Sequence, residues 1–253
     1  MQLHYQTYGT GFPLVILHGL FGMLDNWHTV SKLLASDFQV FAVDLRNHGR
    51  SPHTPEFSIE IMAEDVESFI VQHSISPCFL LGHSMGGKVA MQAALEYPEQ
   101  VAKLVVVDIA PRQYPSLHDT ILDALTSLTL NQYSSRQAVD DALSNKIPQL
   151  AVRQFLMKNL ARNEDGSFRW KLNLEVIRAN YGEVVREVSS QIPFAEPTLV
   201  IRSTKSSYVT ESDFPDFKRL FPTYKVVDFD TGHWVHAEAP EDLTKAVTGF
   251  LRS

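Results

Sequence analysis

Cysteine is nearly absent from this chain. Cys78 is the only one in 253 residues, so neither a disulfide framework nor a thiol cluster for zinc can form, and a reducing compartment fits. Long apolar runs are missing too. None approaches the ~18 residues that a membrane-spanning helix needs, and the opening MQLHYQTYGTGFP has neither the basic nor the apolar segment of a secretory leader. A soluble, cytoplasmic protein is expected. Positive charge is in deficit: 22 Lys and Arg stand against 29 Asp and Glu, a net −7, without a basic block or tail. Nucleic acid is therefore not an expected partner. Internal repeats and low-complexity segments are also lacking.

What the sequence does have is alternation. Short β-branched apolar runs at 2–8, 14–18, 38–43, 78–82 and 103–107 alternate with helix-period stretches near 25–35, 58–74 and 85–97, as in a mostly parallel, doubly wound α/β sheet with helices on both faces. Tyr97-Pro98 stops the third helix, because proline crowds the residue before it. From Pro111 to about Ser190 the pattern turns helical only, through LHDTILDALTSL, SSRQAVDDALSN, QLAVRQFLMKNLAR and LEVIRANYGEVVREV, with a turn signal at NEDG (163–166). Strands return at 198–203 and 225–229. The spacing predicts a core of residues 1–110 and 191–253, with an all-helical cap, 111–190, inserted over the strand ends.

One stretch carries chemistry. GHSMGG (82–87) joins the apolar run CFLL to the helix-like KVAMQAALEY. In a Gly-x-Ser-x-Gly reversal the serine sits on strained backbone with its hydroxyl exposed, while the small neighbours let strand and helix approach. Ser84 is thus a candidate nucleophile, and a plain helix N-cap is the bland alternative. The N–H of Met85, at the positive end of that helix, would face negative charge developing beside Ser84. A second oxyanion donor is expected from the loop after an early strand, at Leu20 in VILHGLFG. The base is expected at His233, which TGHWVHAEAPEDL places between the last strand and the closing helix; His236 competes. Phe21 and Trp234 adjoin these groups and are the expected pocket residues. The aromatics Tyr114, Phe155, Phe168, Trp170 and Tyr181 are expected mainly in the cap's own core. Lys88 and Arg112 are candidates to meet an anionic group such as a coenzyme A phosphate.

HGLFG (18–22), DLRNHGRS (44–51), GHSMGG (82–87) and GHWVHAEAP (232–240), in this order, resemble the α/β-hydrolase superfamily, within its small capped bacterial esterases. The resemblance spans the whole chain except the cap. It implies an esterase or thioesterase that needs neither metal nor cofactor and acts on small acyl esters or thioesters, with Ser84 and His233 as nucleophile and base. Asn47 stands where glycine is commoner, and asparagine also tolerates positive φ. The acid is the informative departure. Many members carry it after the strand that follows the cap, where Ser206 stands here, with Glu211 and Asp213 as the next carboxylates. Asp108, ending VVVDIAP, neighbours the Ser84 strand end, and the resembled esterases match at Asp-Ile-Ala-Pro. Asp108 is the expected acid, against a carboxylate in 211–216 or a Ser–His pair without one. A carboxylic ester hydrolase on short to medium acyl esters is the leading reading; a thioesterase, a carbon–carbon bond hydrolase and a non-catalytic ligand receptor are the competitors.

Overall fold

The computed structural model describes residues 1–253. In chain order, β1 (Tyr5–Tyr8) and β2 (Phe12–Leu17) lead to α1 (His28–Leu34), β3 (Phe38–Val43), α2 (Ile59–Gln72), β4 (Cys78–His83), α3 (Met85–Glu96) and β5 (Val101–Val107). The next segment holds α4 (Asp119–Thr126), α5 (Arg136–Ser144), α6 (Leu150–Met157), β6 (Leu160–Arg162), β7 (Phe168–Trp170), α7 (Leu174–Ala179) and α8 (Tyr181–Val185). The chain then closes with β8 (Thr198–Ser203), α9 (Phe214–Leu220), β9 (Tyr224–Phe229), α10 (Val235–Glu238) and α11 (Pro240–Leu251).

Seven strands form one sheet in the order β1-β3-β2-β4-β5-β8-β9. Only β1 runs antiparallel, against β3; every other neighbouring pair is parallel. Because strand side chains alternate faces, Cys78 and Leu80 of β4 join the larger core with α2 and α3, while Phe79 and Leu81 join the smaller one with Trp27, Leu34, Leu243 and Val247. Burial pushes the Cys78 thiol up to about 12, so it stays protonated and inert. From β2 the chain steps to β3 on one side and then returns to β4 on the other. That reversal opens a crevice beyond the carboxyl ends of β2 and β4, the usual ligand position in such sheets.

The segment between β5 and β8 is not all-helical. β6 and β7 pair antiparallel, Leu160 opposite Trp170 and Arg162 opposite Phe168. The intervening NEDG is a hairpin turn: the Ser167 backbone N–H donates to Asp165 at 2.9 Å, and Gly166 takes φ +85°. Three-residue strands are too short to reveal a period of two, so KNLAR reads as the end of a helix that in fact stops at Met157.

Candidate active site

Ser84 is the single residue between β4 and α3, at φ 53° and ψ −121°. A side chain at such φ costs about 1–3 kcal/mol and persists only where its surroundings over-determine it. Here the Ser84 N–H donates to the Val107 carbonyl at 3.1 Å, and its own carbonyl accepts from the N–H groups of Gly87 and Lys88. Gly82 and Gly86 are required by contact: a Cβ on Gly82 would lie 2.1 Å from the Gly86 oxygen, and one on Gly86 2.4 Å from the His18 oxygen. Phe21 and Asp108, also at positive φ, lie at the same end of the sheet.

His233 sits in the loop between β9 and α10. Its Nδ1 lies 2.8 Å from Asp108 Oδ2, so the imidazole donates Nδ1–H to the carboxylate. Asp108 is fully buried at the tip of β5, and its other oxygen accepts from the Ser203 N–H of β8 at 3.1 Å. The rival carboxylates lie elsewhere. Asp213 pairs with Arg112 at 2.8 Å and accepts from the Thr210 N–H, and Glu211 is exposed. Ser206 instead accepts from the Tyr208 N–H, which belongs to a loop whose ring stacks on His233, centroids 4.0 Å apart and planes at 19°. His236 is buried and stacked on Trp27, and burial with the neighbouring His233 pushes it down to about 3. The structure thus joins Asp108 to His233 directly and sets His233 and Ser84 on one cavity. No hydrogen bond links the Ser84 hydroxyl to the imidazole, a common looseness in unliganded sites.

The loop after β2 presses on Ser84, since a Cβ on Gly19 would come within 3.1 Å of Ser84 Cβ. His18 orients that loop. Its Nε2 accepts from the Leu45 N–H at 3.0 Å, so the proton is on Nδ1, which donates to the Gly19 carbonyl at 2.8 Å. Burial holds His18 down at about 4 and hence neutral. The Gly19 carbonyl and the Leu20 N–H belong to one peptide plane and point oppositely, so the bond that fixes the first aims the second. From the segment between α6 and β6, buried Asn159 donates to the Phe21 carbonyl at 2.7 Å. Met85 opens α3, where the first N–H groups have no partner inside the helix. Asn47 takes φ 63° and, through its carbonyl and side chain, accepts from Asn173, just before α7.

Lys88 and Arg112 are not free for an anion. The Lys88 ammonium is buried and donates to the carbonyls of Arg112, Val185 and Arg186, while Arg112 is spent on Asp213 and lies over the Tyr114 ring. Phe21 and Trp234 line the cavity, Trp234 against Phe155 of α6. Tyr114, Tyr181 and Tyr208 line an adjoining space that shares Leu20, Ser84 and His118 with it, whereas Phe168 is buried in the segment between β5 and β8. His118 escaped the sequence reading. It lines the cavity with Ser84, its Nδ1 2.6 Å from the Tyr181 hydroxyl, and burial lowers it to about 4. Nothing local marks it, because its partners Tyr181 and Phe21 lie 63 and 97 residues away.

Set against known proteins, residues 13–240 match a family model described as "alpha/beta hydrolase fold". The chain is 37% identical over 247 residues to "sn-1-specific diacylglycerol lipase ABHD11" of Mus musculus, covering 94% of this chain and 80% of that one. It is 34% identical over 242 residues to "Esterase YbfF" of Escherichia coli, covering 94% and 92%. A solved structure described as "Marine microorganism esterase" superposes with a TM-score of 0.96 at 38% identity, over 98% of this chain and 99% of that one. No helix is long and apolar enough to cross a membrane.

Proposed function

The chain belongs to the alpha/beta hydrolase family, and from that premise we propose that it is a serine esterase in which Ser84, His233 and Asp108 act as nucleophile, base and acid on uncharged esters of short to medium acyl chains. Asp108 holds the Nδ1–H of His233, which leaves Nε2 to take the Ser84 proton as Oγ attacks the ester carbonyl. The imidazolium so formed is stabilised by the Asp108 carboxylate and by the face of Tyr208. Charge on the carbonyl oxygen is met by the N–H groups of Leu20 and Met85 and by the positive end of α3. The carbon–oxygen bond to the alcohol then breaks, and the alkoxide takes the proton from Nε2. Water repeats the sequence on the acyl-enzyme and releases the acid. In this reading residues 111–190 form a cap over a core of 1–110 and 191–253.

The observation that carries the proposal is the 2.8 Å contact between His233 and Asp108 at a cavity that also exposes Ser84 on its strained reversal. Relatives named as esterases and a lipase, at 34–38% identity, support the choice of ester chemistry. Turnover of a chromogenic ester by Ser84→Ala tests it. A loss of about 10³-fold or more is expected, together with loss of phosphonate labelling seen by intact mass. Activity within tenfold of wild type overturns the assignment. His233→Ala should lose as much, and His236→Ala should keep most activity.

A further inference from the structure

Ser84 stands at the fork of a two-armed cavity. Leu20, Ser84 and His118 line both arms. The first, about 560 Å³ including its mouth, runs past Phe21, Val152, Phe155, His233 and Trp234. The second, about 350 Å³ including its mouth, runs along α3 past Met85, Tyr114, Leu117, Val184 and Tyr208. His233 lines only the first.

That asymmetry decides which half of an ester goes where. In acylation the Ser84 Oγ–carbon bond forms, the bond from carbon to the alcohol oxygen breaks, and that oxygen takes the proton from His233. In deacylation a water oxygen bonds to the same carbon, its proton passes to His233, and Oγ leaves as the serine hydroxyl after taking that proton back. Both the departing alcohol and the entering water must therefore reach His233, while the acyl group stays on Oγ throughout. Resting on the serine-esterase reading of this site, we infer that the acyl chain occupies the arm along α3 and the alcohol the arm beside Phe155 and Trp234.

The walls then define the substrate class. The one Lys or Arg that lines the acyl arm, Lys88, has its three donors taken by the carbonyls of Arg112, Val185 and Arg186. The Tyr114 hydroxyl is also occupied, accepting from the Ala110 N–H at 2.8 Å and donating to the Tyr208 carbonyl at 2.5 Å. All three Lys88 donors are taken and none is left for a carboxylate on the acyl group, so the acyl arm takes a neutral aliphatic chain. It is also the smaller of the two arms, which favours the shorter acyl chains. The alcohol arm is larger and carries aromatic rings beside the imidazoles of His118 and His236, so bulky alcohols are accepted.

Two positions test this without disturbing the core: Leu117, exposed at the acyl arm, and Val152, half-buried in the alcohol arm. Two substrate series are read, one alcohol with acyl chains of two to twelve carbons, and one acyl group with alcohols from methyl to naphthyl. Leu117→Trp is expected to lower kcat/KM for the longer acyl chains by about tenfold relative to the acetate, with alcohol preference held within twofold. Val152→Trp should do the reverse. Where deacylation limits turnover, esters sharing an acyl group share one kcat; Leu117→Trp should change it and Val152→Trp should not. Exchange of the two patterns, or a shift of both series by either variant, overturns the assignment of arms. Absence of any acyl adduct on Ser84 in the unmodified protein would instead defeat the serine-esterase reading.

Discussion

Replacing Asp108 by Asn probes the site at its most constrained atom. Both carboxylate oxygens are engaged, Oδ2 by His233 Nδ1 at 2.8 Å and Oδ1 by the Ser203 N–H at 3.1 Å, and the side chain is fully buried. An amide has only one oxygen. Turning it toward His233 aims its NH₂ at the Ser203 N–H, leaving buried donors unpaired at about 1–3 kcal/mol. Turning it toward Ser203 satisfies that N–H and aims the NH₂ at Nδ1. The second orientation is the lower in energy, and it makes Nδ1 an acceptor. The ring proton then moves to Nε2, the atom required to receive the Ser84 proton. Loss of kcat on the scale of 10⁴ is expected, as the equivalent change produces in a serine protease, or about 5.5 kcal/mol of barrier. The assay is kcat on a chromogenic ester across pH 5–9, with thermal unfolding to establish that the variant is folded. A folded Asp108→Asn protein with kcat within tenfold of wild type refutes the tautomer argument and sends the acid role elsewhere.

Relief of backbone strain makes Ser84→Gly more stable than Ser84→Ala by about 1 kcal/mol, a Tm difference of about 2–4 °C at this size, although both are inactive; equal melting would remove the strain argument. Removing the imidazole that aims the Leu20 N–H, His18→Ala, should lower kcat by about 10²–10³ with KM little changed, and His18→Asn should recover part of it; a pure KM effect would contradict that role. Burial holds His18 and His118 at about 4 and His48 and His236 at about 3, against 6.5 when exposed. Between those values the unfolded chain binds protons that the folded one does not, so stability falls as pH drops below 6.5. Each group contributes up to about 1.4 kcal/mol per pH unit. Urea midpoints that stay flat from pH 6.5 to 4.5 would show that these rings are not held neutral.

The order of elements and the strained reversal at Ser84 were legible in the sequence because their causes are local. A parallel sheet buried on both faces writes itself as short apolar runs, and the reversal at Ser84 needs small residues within two positions on either side. His233 was legible as the histidine placed at a strand end just before the closing helix. Asp108 was half legible: the sequence put a carboxylate at a neighbouring strand tip, while its contact with His233 depends on the register of β5 between β4 and β8 and on a loop 125 residues away. The hairpin β6–β7 was hidden because strands of three residues have no readable period. The forked cavity, the placing of His118 beside Ser84, the Tyr208 stack and the burial of Lys88 against the carbonyls of Arg112, Val185 and Arg186 were decided by tertiary structure alone. Each joins groups far apart in the chain, and a side chain's type records neither its distance from a partner nor whether its charge is already satisfied.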